Sequence, residues 1–265
     1  MSSQSRLRRL FSPKSVAVIG GGVWCRSVIE QLFKIDYKGK IFPVHPSKKE
    51  ILGLKYFKDL EAVPANIDAS FVGVNRNTTI EVVKKLNELN AGGAVCFASG
   101  FLEAENDKQG SGELQKSLIE AAGDMPILGP NCYGFINYLD RSVLWPDQHG
   151  GKPVDRGVAI LTQSSNLAIN ITMQTRGLPI SYIMSVGNQA SLGFSKIGMY
   201  LLSDPRVTAL GLHIEGIGDV RAFEELAAKA RKLGKSIAVL KVGKSVEARK
   251  AAQSHTASLA GDAQG

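Results

Sequence analysis

The sequence predicts an α/β fold: two doubly wound parallel-sheet domains, residues 1–150 and 151–265. Three observations predict it. Short apolar runs alternate with helical patterns along the chain, as parallel strands buried on both faces do between crossover helices. Several runs end in small residues that open the next helix. Val16-Ala17-Val18-Ile19 and Val158-Ala159-Ile160-Leu161 echo each other, each opening one half.

The N-terminal MSSQSRLRRLF is basic, with no acid before Glu30. That pattern suits a transit peptide, but a strand begins at Ser15 and leaves little to cleave, so a short first helix is expected. Ser15–Ile19 is the first strand. It runs into Gly20-Gly21-Gly22 and a helix to about Phe33. Lys40–Val44 and Ala69–Val74 are strands, followed by a helix near Thr78–Leu89. Ala94–Ala98, a helix near Gly112–Ala122 and the short Pro126–Leu128 complete the first half. His149–Asp155, rich in Gly and Pro, reads as the linker. The second half repeats the scheme. Gly157–Leu161 leads to a helix ending near Arg176, and Ile180–Val186, Thr208–Ile214 and Ser236–Leu240 are strands. Phe194–Leu202 and Val220–Leu233 fit helices. In such sheets ligands bind at the carboxyl ends of the strands.

Composition removes several classes. Of 265 residues, 44% are hydrophobic and 21% charged, which excludes wholesale disorder. No apolar run approaches 18 residues, so no membrane span is expected. Cys25, Cys96 and Cys132 are odd in number and in no metal-type spacing. They point to buried fillers in a reduced, cytoplasmic protein. The net charge of +8 invites an anionic partner. The cations are dispersed, and clusters such as Arg6/Arg8/Arg9 and Lys241/Lys244/Arg249/Lys250 lack the interleaved aromatics of a single-strand nucleic-acid groove. A small polyanion explains the charge without nucleic acid.

The loops carry the chemistry. Gly20–Gly22 joins a strand to a helix N-terminus, an anion site built from free N–H groups and the helix dipole. A dinucleotide fingerprint needs glycine or alanine at position 25 and an acid some 20 residues on. Cys25 and His45-Pro46 stand there, so NAD is disfavoured. Phe97–Phe101 and Gly129–Cys132 also follow strands, and their common end of the sheet suggests a cleft, although each singly is ordinary turn chemistry. Thr162–Asn166 opens a helix as a Ser or Asn cap or as a phosphate cradle. Gly243-Lys244-Ser245 is not a P-loop, because Ala238 stands where that motif needs glycine. His45, His149 and His213 read as structural. His255 lies among small residues in Ser254–Gly261. There a neutral imidazole is a competent nucleophile, and Glu215 is a candidate to orient it. A solvent-exposed histidine near the C-terminus explains the same residues equally well.

Eight segments fall in one order: LFSPKSVAVIG, GKIFPVHP, ASGFLE, GPNCYGFIN, LTQSS, SVGNQA, HIEGIGD and SHTASLAG. Over nearly the whole chain this set resembles the NDP-forming acyl-CoA synthetases, relatives of the succinyl-CoA synthetase α subunit. The resemblance implies a Rossmann-like CoA-binding domain over 1–150 and a flavodoxin-like, succinyl-CoA-synthetase-type domain over 151–265. It implies that Gly20, Gly21, Gly22, Val44, His45, Pro46, Ser99, Gly100, Pro130 and Asn131 contact coenzyme A. It also implies that His255 is phosphorylated, that Glu215 holds it, and that Ser164 and Ser165 receive the phosphate. No resident metal is implied in this chain; ATP with Mg2+ belongs to an ATP-grasp domain or subunit absent from it.

The implied reaction is carboxylate, ATP and CoA to acyl-CoA, ADP and phosphate, through phosphohistidine and acyl phosphate. A non-catalytic CoA- or acyl-CoA-sensing module is the alternative; His255 and Glu215 favour the enzyme. The chain departs from the family at Val23-Trp24, where a small-Ser run is usual, at Ser165 in place of glycine, and after Asn188, where common acids are missing. The expectation is therefore a fragment that binds CoA, belongs to an oligomer with its ATP-grasp partner, and by itself does not turn over ATP.

Overall fold

The computed structural model describes residues 3–104 and 110–242. His255, its loop and Lys244/Arg249/Lys250 lie outside the described residues.

The first sheet comprises β1 (Ser15–Ile19), β2 (Lys40–Val44), β5 (Ala69–Val72), β6 (Gly93–Cys96) and β7 (Ile127–Leu128). All pair in parallel in the order β2-β1-β5-β6-β7. Winding reverses between β1 and β5, which opens a crevice at their carboxyl ends. Helix α2 (Val23–Lys34) links β1 to β2, α3 (Arg76–Glu88) links β5 to β6, and α4 (Ser111–Ala122) links β6 to β7. No helix links β2 to β5. A small antiparallel hairpin, β3 (Glu50–Ile51) with β4 (Leu54–Lys55), stands there. Too short to show a period, it was not legible in the sequence.

Strand alternation splits the first sheet between two cores. Val16 and Val18 face a cluster with Val28, Ile29 and Leu32 of α2. Ala17 and Ile19 face another with Val83, Leu86 and Leu118 of α3 and α4. Cys25, Cys96 and Cys132 are free and buried, the fillers expected of them. Burial raises all three thiols, Cys25 to about 11 and Cys96 to about 12, leaving them unreactive.

The second sheet has the order β13-β12-β10-β11-β8-β9. Its parallel part is β10 (Gly157–Thr162), β11 (Ile180–Ser185), β12 (Val207–Ile214) and β13 (Ser236–Lys241). These strands wind in the same sense as the first sheet, reversing between β10 and β12. They are connected by α5 (Ser165–Thr172), α6 (Phe194–Leu202) and α7 (Val220–Lys232). Gly198 lets α6 approach α7: a Cβ there would lie 2.8 Å from Leu226.

Two features correct the sequence reading. The second sheet is mixed, because β8 (Gly134–Asn137) runs antiparallel to β11 and β9 (Ser142–Leu144) antiparallel to β8. Since this hairpin precedes residue 150, a division there does not separate the two sheets. Its strands have four and three residues, and its partner β11 lies some 45 residues on in the chain, so no local pattern announces the pairing. Smaller shifts have local causes. The third strand ends at Val72, where Gly73 turns to donate its N–H to the Ile19 carbonyl. Helix α3 starts at Arg76 because Asn75 caps it, accepting from Thr78 N at 3.0 Å. Helix α5 stops at Thr172, short of Arg176.

Helix α1 (Ser3–Phe11) is part of the core, with Leu7, Leu10 and Phe11 buried. Phe11 packs edge-on against Phe135 of β8, ring centroids 5.2 Å apart. Its carbonyl, orphaned at a helix end, accepts from Asn137 Nδ2 at 2.9 Å and Ser142 Oγ at 3.0 Å. Arg9 ties the helix to the first sheet through Asp68 (2.7 Å) and the Ile67 carbonyl (2.8 Å).

In the linker, His149 is only 3% exposed. Its Nδ1 lies 3.1 Å from the Tyr138 hydroxyl, and its Nε2 has no partner among the described residues. Burial, then the nearby Lys34 cation, pushes the imidazole down to about 4. No described helix is long and apolar enough to cross a membrane.

Two predictions follow from the packing. Phe135→Ala removes a fully buried ring shared by both lobes and should cost about 3–5 kcal/mol, read by urea unfolding. Because the His149 pKa is lower folded than unfolded, the unfolded state binds more protons as pH falls below about 6.5. Stability is therefore lost with falling pH, by about 2 kcal/mol at pH 5, and His149→Phe should abolish that component in melts run from pH 5 to 7.5.

Candidate functional site

At the first crevice, Gly20 has φ +125°, and a Cβ there would lie 2.6 Å from the Gly73 carbonyl oxygen and 2.9 Å from Cys25 Sγ. Glycine is required on both counts. Gly20 N donates to the Val44 carbonyl at 3.0 Å. A Cβ on Gly21 would lie 2.5 Å from the His45 ring and 2.8 Å from Lys48. Gly22 caps α2 with no side-chain bond, and nothing lies within 4 Å of where its Cβ would be. The first N–H groups of α2 thus start beside open space. His45 Nδ1 accepts from Ser47 N and Lys48 N, each at 3.2 Å, and the ring packs edge-on to Tyr56. Lys48 Nζ donates to the Gly21 carbonyl. Pro46 is exposed beside them. The expected residues Gly20–Gly22 and Val44–Pro46 therefore meet at one basic end, with Lys48 as an addition.

The ends of β5, β6 and β7 form the next stretch. The Gly100 carbonyl accepts from Arg76 Nη1 at 2.9 Å, and Gly100 N donates to Glu103 Oε1 at 2.5 Å. Asn131, at φ +57°, donates its N–H to the Ala98 carbonyl at 2.9 Å. Pro130 is buried, and its carbonyl accepts from Asn188 N at 3.0 Å. Asn188 Nδ2 also donates to Glu103 Oε2. Ala190 N reaches the Gly129 carbonyl at 3.0 Å, and Ser191 Oγ accepts from Ile127 N at 3.0 Å. The loop after β11 thereby covers the β7 edge, and Glu103 bridges the lobes.

The second crevice holds Ser164, Ser165 and Glu215. Ser164 caps α5, accepting from Leu167 N at 3.3 Å. Ser165 Oγ lies 2.7 Å from Ser185 Oγ. Gln163 Oε1 accepts from Glu215 N at 2.7 Å and Gly216 N at 3.2 Å, joining the two strand ends. Glu215 is 7% exposed. His213 Nδ1 lies 3.1 Å from Thr162 Oγ1, and burial lowers its pKa.

The two stretches open onto one cleft of about 610 Å³ that brings together Ser99, Asn131 and Ser165. It also collects Phe97, from the loop Phe97–Phe101 already read as part of a cleft, and residues the sequence reading did not select: the Gly73–Arg76 turn and Tyr133. A signal for the first existed, since Gly73-Val74-Asn75 joins a strand to a capped helix just as Gly20–Gly22 does. Tyr133 lies one residue past the Gly129–Cys132 loop, and no turn signal marked it. Trp24, noted only as a bulky departure, forms part of the wall. Gly20–Gly22 and His45-Pro46 do not line this cleft. Among the described residues no group of three His, Cys, Asp or Glu could hold a metal ion.

Two family models match the chain. A CoA binding domain model matches residues 14–138, and a model of the succinyl-CoA ligase like flavodoxin domain matches residues 155–265. The chain is 32% identical over 269 residues to a trans-feruloyl-CoA synthase from an unknown prokaryotic organism, covering 98% of this chain and 38% of that protein. It is 33% identical over 261 residues to the α subunit of the ADP-forming acetate–CoA ligase II of Pyrococcus furiosus, covering 95% of this chain and 55% of that subunit. Among solved structures, the dinucleotide-forming acetyl-coenzyme A synthetase 1 of Ca. Korarchaeum cryptofilum, in complex with phosphate and ADP, superposes with a TM-score of 0.85. It is 29% identical and covers 97% of this chain and 56% of that one. The chain thus spans between about two fifths and somewhat over half of these relatives.

Gly21→Ala should push His45 and Lys48 off the glycine loop. We expect a loss of CoA affinity of at least tenfold by calorimetry with under about 1 kcal/mol of destabilisation, since the Lys48 end is flexible. Gly20→Ala meets backbone instead and should destabilise the fold itself by several kcal/mol.

Proposed function

The chain belongs to the NDP-forming acyl-CoA synthetase family, and from that premise we propose that it is the CoA-binding and phosphohistidine portion of an acid–thiol ligase. The single cleft that gathers strand ends of the first sheet and the α5 start of the second carries this reading, because a thiol and an activated acyl group must meet. The glycine loop with His45 and Lys48 would hold the phosphate-bearing end of CoA through N–H dipoles and charge. Ser99 and Asn131 would guide the remainder toward the thiol.

In the proposed sequence, a neutral His255 nitrogen attacks the γ-phosphorus of ATP, and the bond to the ADP oxygen breaks. Glu215, tied to the α5 turn through Gln163, would orient that imidazole. The α5 start, with Ser164 and Ser165, would receive the phosphoryl group as a carboxylate oxygen attacks phosphorus and the N–P bond breaks. The CoA sulfur, having lost its proton, then attacks the acyl carbon and phosphate leaves. Positioned donors supply most of the stabilisation in such transfers. ATP and its Mg2+ would be held by an ATP-grasp domain or subunit, and an oligomer formed with that part is proposed. The three free, buried cysteines support a cytoplasmic location.

Calorimetric titration of the chain should show saturable CoA binding and none of NAD. With an ATP-grasp partner and labelled ATP, an acid-labile phosphate should appear on the chain and vanish in His255→Ala. CoA binding without that phosphate would favour the sensing module; absence of CoA binding would remove the reading.

A further inference from the structure

One wall of the cleft is aromatic. Trp24, in the first turn of α2, is 42% exposed. Its ring lies 5.5 Å from Phe97 and 6.2 Å from Tyr133, tilted 47° and 45°. Phe97 and Tyr133 are 5.8 Å apart. Behind them, Phe71 stands 5.6 Å from Phe97, and Trp145 meets Tyr133 edge-on at 5.4 Å. Phe71 and Trp145 are fully buried. Five rings from separate segments of the chain thus form one array, anchored in the core and ending in a half-bare indole. An exposed indole backed by fixed rings is a pre-formed surface for another flat apolar group.

The position selects the occupant. The basic glycine loop, suited to the phosphates and adenosine of CoA, lies outside this cleft. Ser165, at the helix start proposed to receive the phosphoryl group, lines it. The acid must lie where its carboxylate reaches that phosphoryl group, so its body falls along this cleft. A methyl-sized acid leaves the array bare, whereas an aryl group covers it. Resting on the CoA and phosphohistidine reading above, we infer that this chain takes an aromatic carboxylic acid, with its ring stacked against Trp24 and its carboxylate toward Ser165. Trp24 is then the residue that determines specificity.

The test uses the 265-residue chain and three probes measured by calorimetry: CoA, acetyl-CoA and benzoyl-CoA. Benzoyl-CoA should bind about tenfold more tightly than acetyl-CoA. Trp24→Ala should bring that ratio to near one, while Trp24→Phe keeps most of it. Equal affinities for the two thioesters, with CoA bound, overturn the aromatic assignment and leave the CoA reading standing. If Trp24→Ala weakens all three probes by the same factor, the indole serves CoA itself and the assignment also falls. Failure of all three to bind the unaltered chain overturns the CoA reading and this inference with it.

Discussion

Burying the short hairpin Gly134–Leu144 organises the molecule. β8 leaves the first sheet's connection to pair with β11, β9 pairs with β8, and their apolar face must be buried against something. Helix α1 supplies it: Phe11 meets Phe135, while Asn137 and Ser142 satisfy the Phe11 carbonyl. Arg9 in turn fastens α1 beneath the first sheet through Asp68. One hydrophobic cluster consequently runs from Val16 and Ile29 in the first lobe to Ile183 and Leu210 in the second. Both lobes contribute to that cluster, so their relative placement is set by packing rather than by the linker.

That placement aligns two crevices. Both sheets reverse their winding after the first strand, and both leave a small-residue turn at the reversal, Gly20–Gly22 in one and Gln163–Ser165 in the other. The loop Asn188–Ser191 seals the edge between them by backbone bonds to Gly129 and Pro130, and Glu103 braces it from the first lobe. The aromatic array belongs to the same scaffold, since Phe71 and Trp145 are buried by the strands that frame the cleft.

Alternating apolar runs and helical patterns determined the α/β class, nearly every long element and the direction in which strand ends would point. Turn chemistry also marked Gly20–Gly22, Ser99–Gly100, Pro130–Asn131 and Ser164–Ser165, because a strand-to-helix turn needs small or capping residues wherever it occurs. Tertiary structure alone decided the pairing of the β8–β9 hairpin with β11 through β8, the Gln163 link from Ser164's turn to Glu215, and the meeting of Trp24, Phe97 and Tyr133. These contacts join residues tens to more than a hundred positions apart, and no local period records which distant strand ends a fold will bring side by side. The sequence by itself specified the parts and their local geometry through short-range sterics and burial. The cleft and its wall arose only when the shared core pressed the two sheets together.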